Sequence, residues 1–169
     1  MSVPVICILG RKGSGKTRLI EKLVRDLTLK GFKVSVFKHI HHPDFNIDIK
    51  GKDTWRFMQA GATNVIGISR AKLFVVRKLN DYPNISKLIS EFKPASDVIL
   101  LEGFKYNLGR SKEVHKVITA RNEKEAMEIM KEISEPIIGI YLHDQPTKLK
   151  LAISYSELID EITKLISKS

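Results

Sequence analysis

One run of residues is dense in groups that hold polyphosphate: Gly10-Arg11-Lys12-Gly13-Ser14-Gly15-Lys16-Thr17. Two glycines with four residues between them, Gly10 and Gly15, followed at once by a lysine and a hydroxyl residue, form the phosphate-loop pattern. Glycine lets the backbone curl until successive N–H groups face phosphate oxygens, and a helix starting there adds the positive end of its dipole. In that pattern Lys16 bridges the β- and γ-phosphates and counts as a catalytic group, while the Thr17 hydroxyl ligates Mg²⁺. A glycine turn with an incidental Lys-Thr pair is the bland alternative, and the strand before and helix after the loop speak against it.

A phosphate loop needs a second acidic group for Mg²⁺ or its water shell, at the carboxyl end of a neighbouring buried strand. Asp97-Val98-Ile99-Leu100-Leu101-Glu102-Gly103 offers two carboxylates. Asp97 enters this strand and Glu102 leaves it, so Glu102 is the metal-side candidate, weighed against an ordinary solvated glutamate. A third element is Lys38-His39-Ile40-His41-His42-Pro43-Asp44-Phe45-Asn46-Ile47-Asp48. Its irregular spacing and lack of cysteine rank a phosphate-sensing or substrate-binding loop above a permanent zinc site. Asp48 and Asp53 are assigned to the magnesium water shell or the attacking water, as catalytic candidates. Asp53 and Arg56, three apart, equally suit a surface ion pair.

The elements that must position these residues follow from periodicity. Val3 to Leu9 is a continuous apolar run, as expected of a strand buried on both faces. From Lys16 to Lys30, Leu19, Ile20, Leu23, Val24 and Leu27 recur at helical spacing up to Gly31, and a strand follows at Lys33 to Lys38. Strand, loop, helix and strand make a βαβ unit with parallel strands. A short helix from Gly51 to Ala60 precedes two strands, Asn64 to Ser69 and Leu73 to Leu79, joined by a tight turn. Further on come a helix after Pro83, strands at Asp97 to Leu101, Glu113 to Thr119 and Pro136 to Leu142, and helices at Glu123 to Ile133 and Ser156 to Ile166. The expected class is α/β: a three-layer P-loop fold with a mostly parallel sheet and a small antiparallel excursion near residues 64–79.

With 169 residues and 43% apolar content, the chain is expected to form one domain over residues 1–169. No apolar run reaches the roughly 18 to 20 residues of a membrane helix, and no signal-peptide pattern is present, so a cytoplasmic location is expected. The single cysteine, Cys7, lies in the first apolar run and is expected in the core. Lysine and arginine outnumber aspartate and glutamate 29 to 19, for a net charge of +10. That excess suits a phosphate- or carboxylate-rich partner, but its even spread along the chain argues against a nucleic-acid groove.

Taken together, Gly10 to Thr17, Lys38-His39 with His41-His42, Asp48, Gly51-Lys52-Asp53-Thr54 with Arg56, Ala60-Gly61-Ala62, and Glu102-Gly103-Phe104-Lys105 resemble the molybdopterin-guanine dinucleotide biosynthesis adaptor protein B family, MobB. The resemblance covers the chain up to about Lys105. It implies a homodimeric GTP-binding protein with weak GTPase activity that assists the guanylyltransferase attaching GMP to molybdopterin, in the molybdenum or tungsten cofactor. On that reading Lys52, Arg56, Lys105 and Arg110 face pterin phosphate or the acidic patches of that enzyme. One departure is that the family often shows asparagine before the loop serine, where this chain has Gly13. The departure leaves open whether Lys12 contributes to the transition state, as an extra cation near the γ-phosphate would. No Asn-Lys-x-Asp element explains guanine selection, so GTP rests on the resemblance. The readings set against it are a small-molecule or nucleotide kinase, which would need an arginine-bearing lid, and a nucleic-acid-stimulated ATPase.

Overall fold

The computed structural model describes residues 3–42, 45, 48–143 and 147–168. In chain order its elements are β1 (Val5–Leu9), α1 (Lys16–Leu29), β2 (Val34–Lys38), α2 (Asp53–Gln59), β3 (Asn64–Ile68), β4 (Leu73–Arg77), α3 (Ile85–Phe92), β5 (Val98–Glu102), α4 (Lys105–Leu108), β6 (His115–Thr119), α5 (Glu123–Met130), β7 (Ile137–Tyr141) and α6 (Tyr155–Ser167). A 3₁₀ turn at Lys93–Ala95 links α3 to β5. These elements divide into two compact units, one of Met1–His39 with Ile85–Ser169 and one of Ile40–Asn84.

The first unit is built on β1, whose five residues Val-Ile-Cys-Ile-Leu are all buried. A strand alternates its side chains between the two sheet faces, so one strand can feed two cores. Val5, Cys7 and Leu9 join Ile85, Ile89, Ala126 and Ile129 on the side of α3 and α5. Ile6 and Ile8 join Leu19, Leu23, Leu27, Leu158 and Ile162 on the side of α1 and α6. The result is three layers, with a five-stranded parallel sheet of order β2-β5-β1-β6-β7 between two layers of helices. From β1 the chain passes to β2 on one side, whereas β6 and β7 lie on the other. The carboxyl end of β1 is thus the switch point where open α/β sheets place ligands.

In the second unit α2 accompanies an antiparallel hairpin pairing Ile68 with Leu73 and Asn64 with Arg77. Its turn is tightened by the Ser69 hydroxyl, which accepts from the Lys72 amide at 3.0 Å. Gly67 lies opposite Phe74, whose ring occupies the space a Cβ on Gly67 would take. Ile66, Ile68, Leu73, Phe74 and Val75 are all exposed on this hairpin, Ile68 at 78% and Leu73 at 64%.

The expected α/β class, parallel sheet and antiparallel excursion are all present. The differences lie at boundaries. β1 starts at Val5 because Pro4 has no amide to donate to the ladder, although its carbonyl accepts from Ile99 N at 3.0 Å. The short α4 is an addition. It follows the left-handed residues Gly103 (φ 90°) and Phe104 (φ 61°), which turn the chain sharply after β5.

Candidate functional site

Because the strands of the first unit run parallel, β2, β5, β1, β6 and β7 end at one edge of the sheet in Lys38, Glu102, Leu9, Thr119 and Tyr141. The glycine loop rises from the middle of that edge. Gly13 and Gly15 hold φ of 78° and 85°, conformations in which a side chain would be strained. Gly15 is also the N-cap of α1, where no side chain caps the helix and no acidic residue sits in its first turn. The leading amides of α1 therefore have no capping side chain and no acidic residue of their own turn to satisfy them, which suits them to phosphate oxygens.

The loop is braced from behind by β6 and β7. The Ser14 and Thr119 hydroxyls, both buried, lie 2.9 Å apart, and Thr119 Oγ1 donates to the Leu9 carbonyl at 3.3 Å. Thr119 has one proton and gives it to Leu9, so Ser14 donates to Thr119. A Cβ on Gly10 would stand 2.2 Å from Ser14 Oγ and 2.4 Å from the Thr119 carbonyl oxygen, leaving no room for a side chain. His143, just beyond β7 at φ 52°, places Nε2 2.7 Å from the Ser14 carbonyl. Since a carbonyl only accepts, Nε2 carries the proton. The same ring would lie 1.9 Å from a Cβ on Gly15.

Beneath the loop, Glu125 is buried and its Oε2 accepts from Arg121 Nε at 2.7 Å. Burial opposes its charge, yet the Arg121 guanidinium and the backbone amides of Arg121 and Arg11 hold its carboxyl below the usual glutamate range. Lys16 donates to the carbonyls of Gly10 at 2.9 Å and Arg11 at 2.8 Å. Burial pulls its pKa down, Glu102 works against that, and the nearby Lys38 adds to it.

Glu102 gathers the remaining groups. Its Oε1 accepts from Thr17 Oγ1 at 3.1 Å and from Lys38 Nζ at 2.8 Å. Lys38 and Glu102 are register partners at the ends of adjacent strands, which explains their meeting. Asp97 lies at the other end of β5, accepting from the Lys33 amide at 2.6 Å. Thr17 and Glu102, both assigned above to the magnesium side, thus lie within hydrogen-bond distance of each other, two hard oxygen donors of the kind Mg²⁺ prefers. This donor set and the uncapped, side-chain-free turn before α1 fit a magnesium–polyphosphate ligand. Arg11 is drawn aside to Glu128 at 2.6 Å, and Lys12 is exposed.

Asp48 and Asp53 belong to the second unit. Asp48 accepts from the Thr54 hydroxyl at 2.6 Å, and Asp53, the first residue of α2, lies 3.8 Å from Arg56 with both side chains largely exposed. Of the histidine stretch, Pro43, Asp44, Asn46 and Ile47 fall outside the described residues. Among the described residues, no group of three or more histidine, cysteine, aspartate or glutamate side chains is placed to hold a metal. Cys7 is in the core as expected. Burial pushes its thiol up to about 12, and it donates to the Gly103 carbonyl at 2.8 Å. Sequence reasoning missed Thr119, Glu125 and His143 in this region. The first and last stand at or just beyond strand ends, a signal visible only once strand order is known.

A glycine loop between the central strand and first helix of a parallel sheet, with a hydroxyl and a carboxylate meeting beside it, defines a P-loop nucleoside-triphosphatase fold. The family model described as molybdopterin guanine dinucleotide synthesis protein B, MobB, matches residues 5–141. This chain belongs to the MobB family. It is 36% identical over 104 residues to the molybdopterin-guanine dinucleotide biosynthesis adapter protein of Haemophilus influenzae, covering 61% of this chain and 58% of that one. To the protein of the same name from Escherichia coli it is 30% identical over 123 residues, 71% of this chain and 67% of the other. The chain thus matches less than two thirds of the length of the Haemophilus relative. In structure it resembles Bacillus subtilis MobB, with a TM-score of 0.71, 22% identity and 95% and 96% of the two chains covered. A MobB homologue from Bacillus stearothermophilus gives 0.68, 19%, 98% and 99%. At these identities the structural likeness speaks for the fold.

Proposed function

We propose that this protein is a GTP-binding adapter in molybdopterin guanine dinucleotide biosynthesis, with slow GTP hydrolysis. The observation that carries the nucleotide reading is the meeting of Thr17 with Glu102 beside the uncapped start of α1, with Lys16 at the loop rim. The backbone from Gly10 to Thr17 cradles the phosphates. Lys16 exchanges its two loop carbonyls for β- and γ-phosphate oxygens, and Thr17 and Glu102 hold the magnesium side. When bound, Mg²⁺ supplies neutralisation of phosphate charge. Asp48 and Asp53 are assigned to the water shell and the attacking water.

Turnover is slow on this reading because a cation supplied in trans accounts for roughly 10³- to 10⁵-fold in such enzymes. Here the loop arginine Arg11 is already engaged by Glu128. The family and its adapter-named relatives support a guanylyltransferase as partner and pterin phosphate as a neighbouring ligand. Lys52, Arg56, Lys105 and Arg110 are the cations offered to them. The exposed apolar hairpin supports a homodimer. No helix among the described residues is long and apolar enough to cross a membrane, in keeping with a cytoplasmic role.

Calorimetric titration with GTP and ATP, each with and without Mg²⁺, tests the proposal. Magnesium-dependent preference for GTP is expected. Preference for ATP would move the assignment to the kinase reading or to a nucleic-acid-stimulated ATPase.

A further inference from the structure

Guanine preference has no Asn-Lys-x-Asp element to carry it in this chain. We propose that the base is selected instead at a small cavity beside the phosphate loop, lined by Arg18, Leu19, Lys22, Tyr141 and His143, with Arg18 reading guanine through its paired acceptors. This rests on the nucleotide reading above.

The cavity adjoins the loop through His143, whose Nε2–H is bonded to the Ser14 carbonyl and whose ring packs under Gly15. Its volume is about 140 Å³. A cavity of about 150 Å³ holds a benzene-sized ring, so there is room for one ring of a base to enter. The walls suit a flat, partly apolar group. Leu19 and Tyr141 are buried, and the Tyr141 and His143 rings meet edge to face at 5.0 Å.

The polar groups set the selectivity. Arg18 directly follows Thr17, on the first turn of α1, and is exposed. Among the described residues it has no hydrogen-bond or ion-pair partner. Lys22, one turn on, is held elsewhere, with Nζ 3.4 Å from the Tyr155 ring centre while Tyr155 donates to Asp26 at 2.6 Å. Both cations are donors only. Guanine presents two adjacent acceptors, O6 and N7, where adenine presents N7 beside an amino donor. A guanidinium pairs with the first edge at both points and meets a donor at the second. The Nε2–H of His143 is taken up by the Ser14 carbonyl, which fixes the ring as a wall of the cavity.

The test titrates the full chain with magnesium complexes of GTP, ITP, ATP and tripolyphosphate, comparing wild type with Arg18→Ala and Arg18→Lys. Inosine keeps O6 and N7 but lacks the 2-amino group, so it isolates the edge in question. The wild type should bind GTP and ITP roughly tenfold tighter than ATP, the scale of one bidentate arginine–guanine contact. Arg18→Ala should bring all three nucleotides to parity while tripolyphosphate still binds, and Arg18→Lys should recover part of the preference. A GTP preference intact in Arg18→Ala, or ITP behaving like ATP, would overturn the inference. Equal wild-type binding of GTP and ATP would overturn it too, leaving the phosphate site standing. Failure of tripolyphosphate and every nucleotide to bind would overturn the nucleotide reading itself.

Discussion

Lys16 illustrates how one side chain can serve the bare loop and the loaded one. Its ammonium bonds the Gly10 and Arg11 carbonyls, neutral acceptors that an anionic phosphate oxygen outcompetes because the two partners then carry opposite charges. Replacement by alanine should weaken Mg·GTP binding at least about tenfold, given roughly 1.5–3 kcal/mol for a hydrogen bond to a charged group. Unchanged affinity by calorimetry would count against the site. Glu102→Gln keeps an acceptor for Thr17 but removes the charge. It should flatten the magnesium dependence of binding more than it changes magnesium-free affinity, and a titration across Mg²⁺ concentrations reads this directly. Glu125 carries a pH signature. Its folded-state pKa lies below the ordinary 4.5, so its ionised form stabilises the fold above that value. That stabilisation is lost as pH falls through the depressed folded value. Thermal melts from pH 7 down to pH 3 should show a shallower acid limb for Glu125→Gln than for wild type.

Elements act by fixing where these side chains emerge. The strand ends of β1 and β6 meet through the Ser14–Thr119–Leu9 chain of hydrogen bonds, so β6 sets the height of the phosphate loop although its residues are distant in sequence. Thr119→Val keeps the shape and strips the acceptor, leaving the buried Ser14 hydroxyl unpaired. Such groups cost about 1–3 kcal/mol, and urea unfolding should show a loss in that range together with weaker GTP binding. A loss of stability without any change in binding would mean that the brace holds the fold alone. Helix α6 is stabilised locally by the reciprocal Ser154–Glu157 capping box, and its Leu158 and Ile162 complete the core beneath α1.

At the scale of the whole molecule, net charge and the uncovered hairpin face matter most. A two-stranded sheet is marginal in water on its own. Here the cross-strand pairs Ile66–Val75 and Ile68–Leu73 put four exposed apolar side chains on one face of it, with Phe74 exposed on the other. Burying that face against a second copy is the expectation behind the proposed homodimer. Light scattering on the eluting protein should give a dimer mass, and Val75→Asp, which puts a charge in the face, should shift it toward monomer. A wild-type monomer at high concentration would remove the dimer from the functional reading.

Much of this was legible in one dimension because its causes are local. The all-apolar run at β1, the helical spacing of Leu19, Leu23 and Leu27, and the glycines around Lys16 and Thr17 each declare their element within a few residues. The loop's chemistry depends on backbone curvature that glycine alone permits, and the family resemblance rests on the same stretches. Glu102 was also readable, since a charge that closes an apolar run must lie at a strand end. What the chain could not show in one dimension was which strand ends are neighbours. Lys38 meets Glu102, Thr119 meets Ser14 and His143 lies under Gly15 because the strand order is β2-β5-β1-β6-β7, and that order arises from long-range packing of two cores on one sheet. Residue types and local conformation therefore belonged to the sequence by itself, whereas the bracing of the loop and the cavity beside it were decided by tertiary structure, which alone sets distances between residues a hundred positions apart.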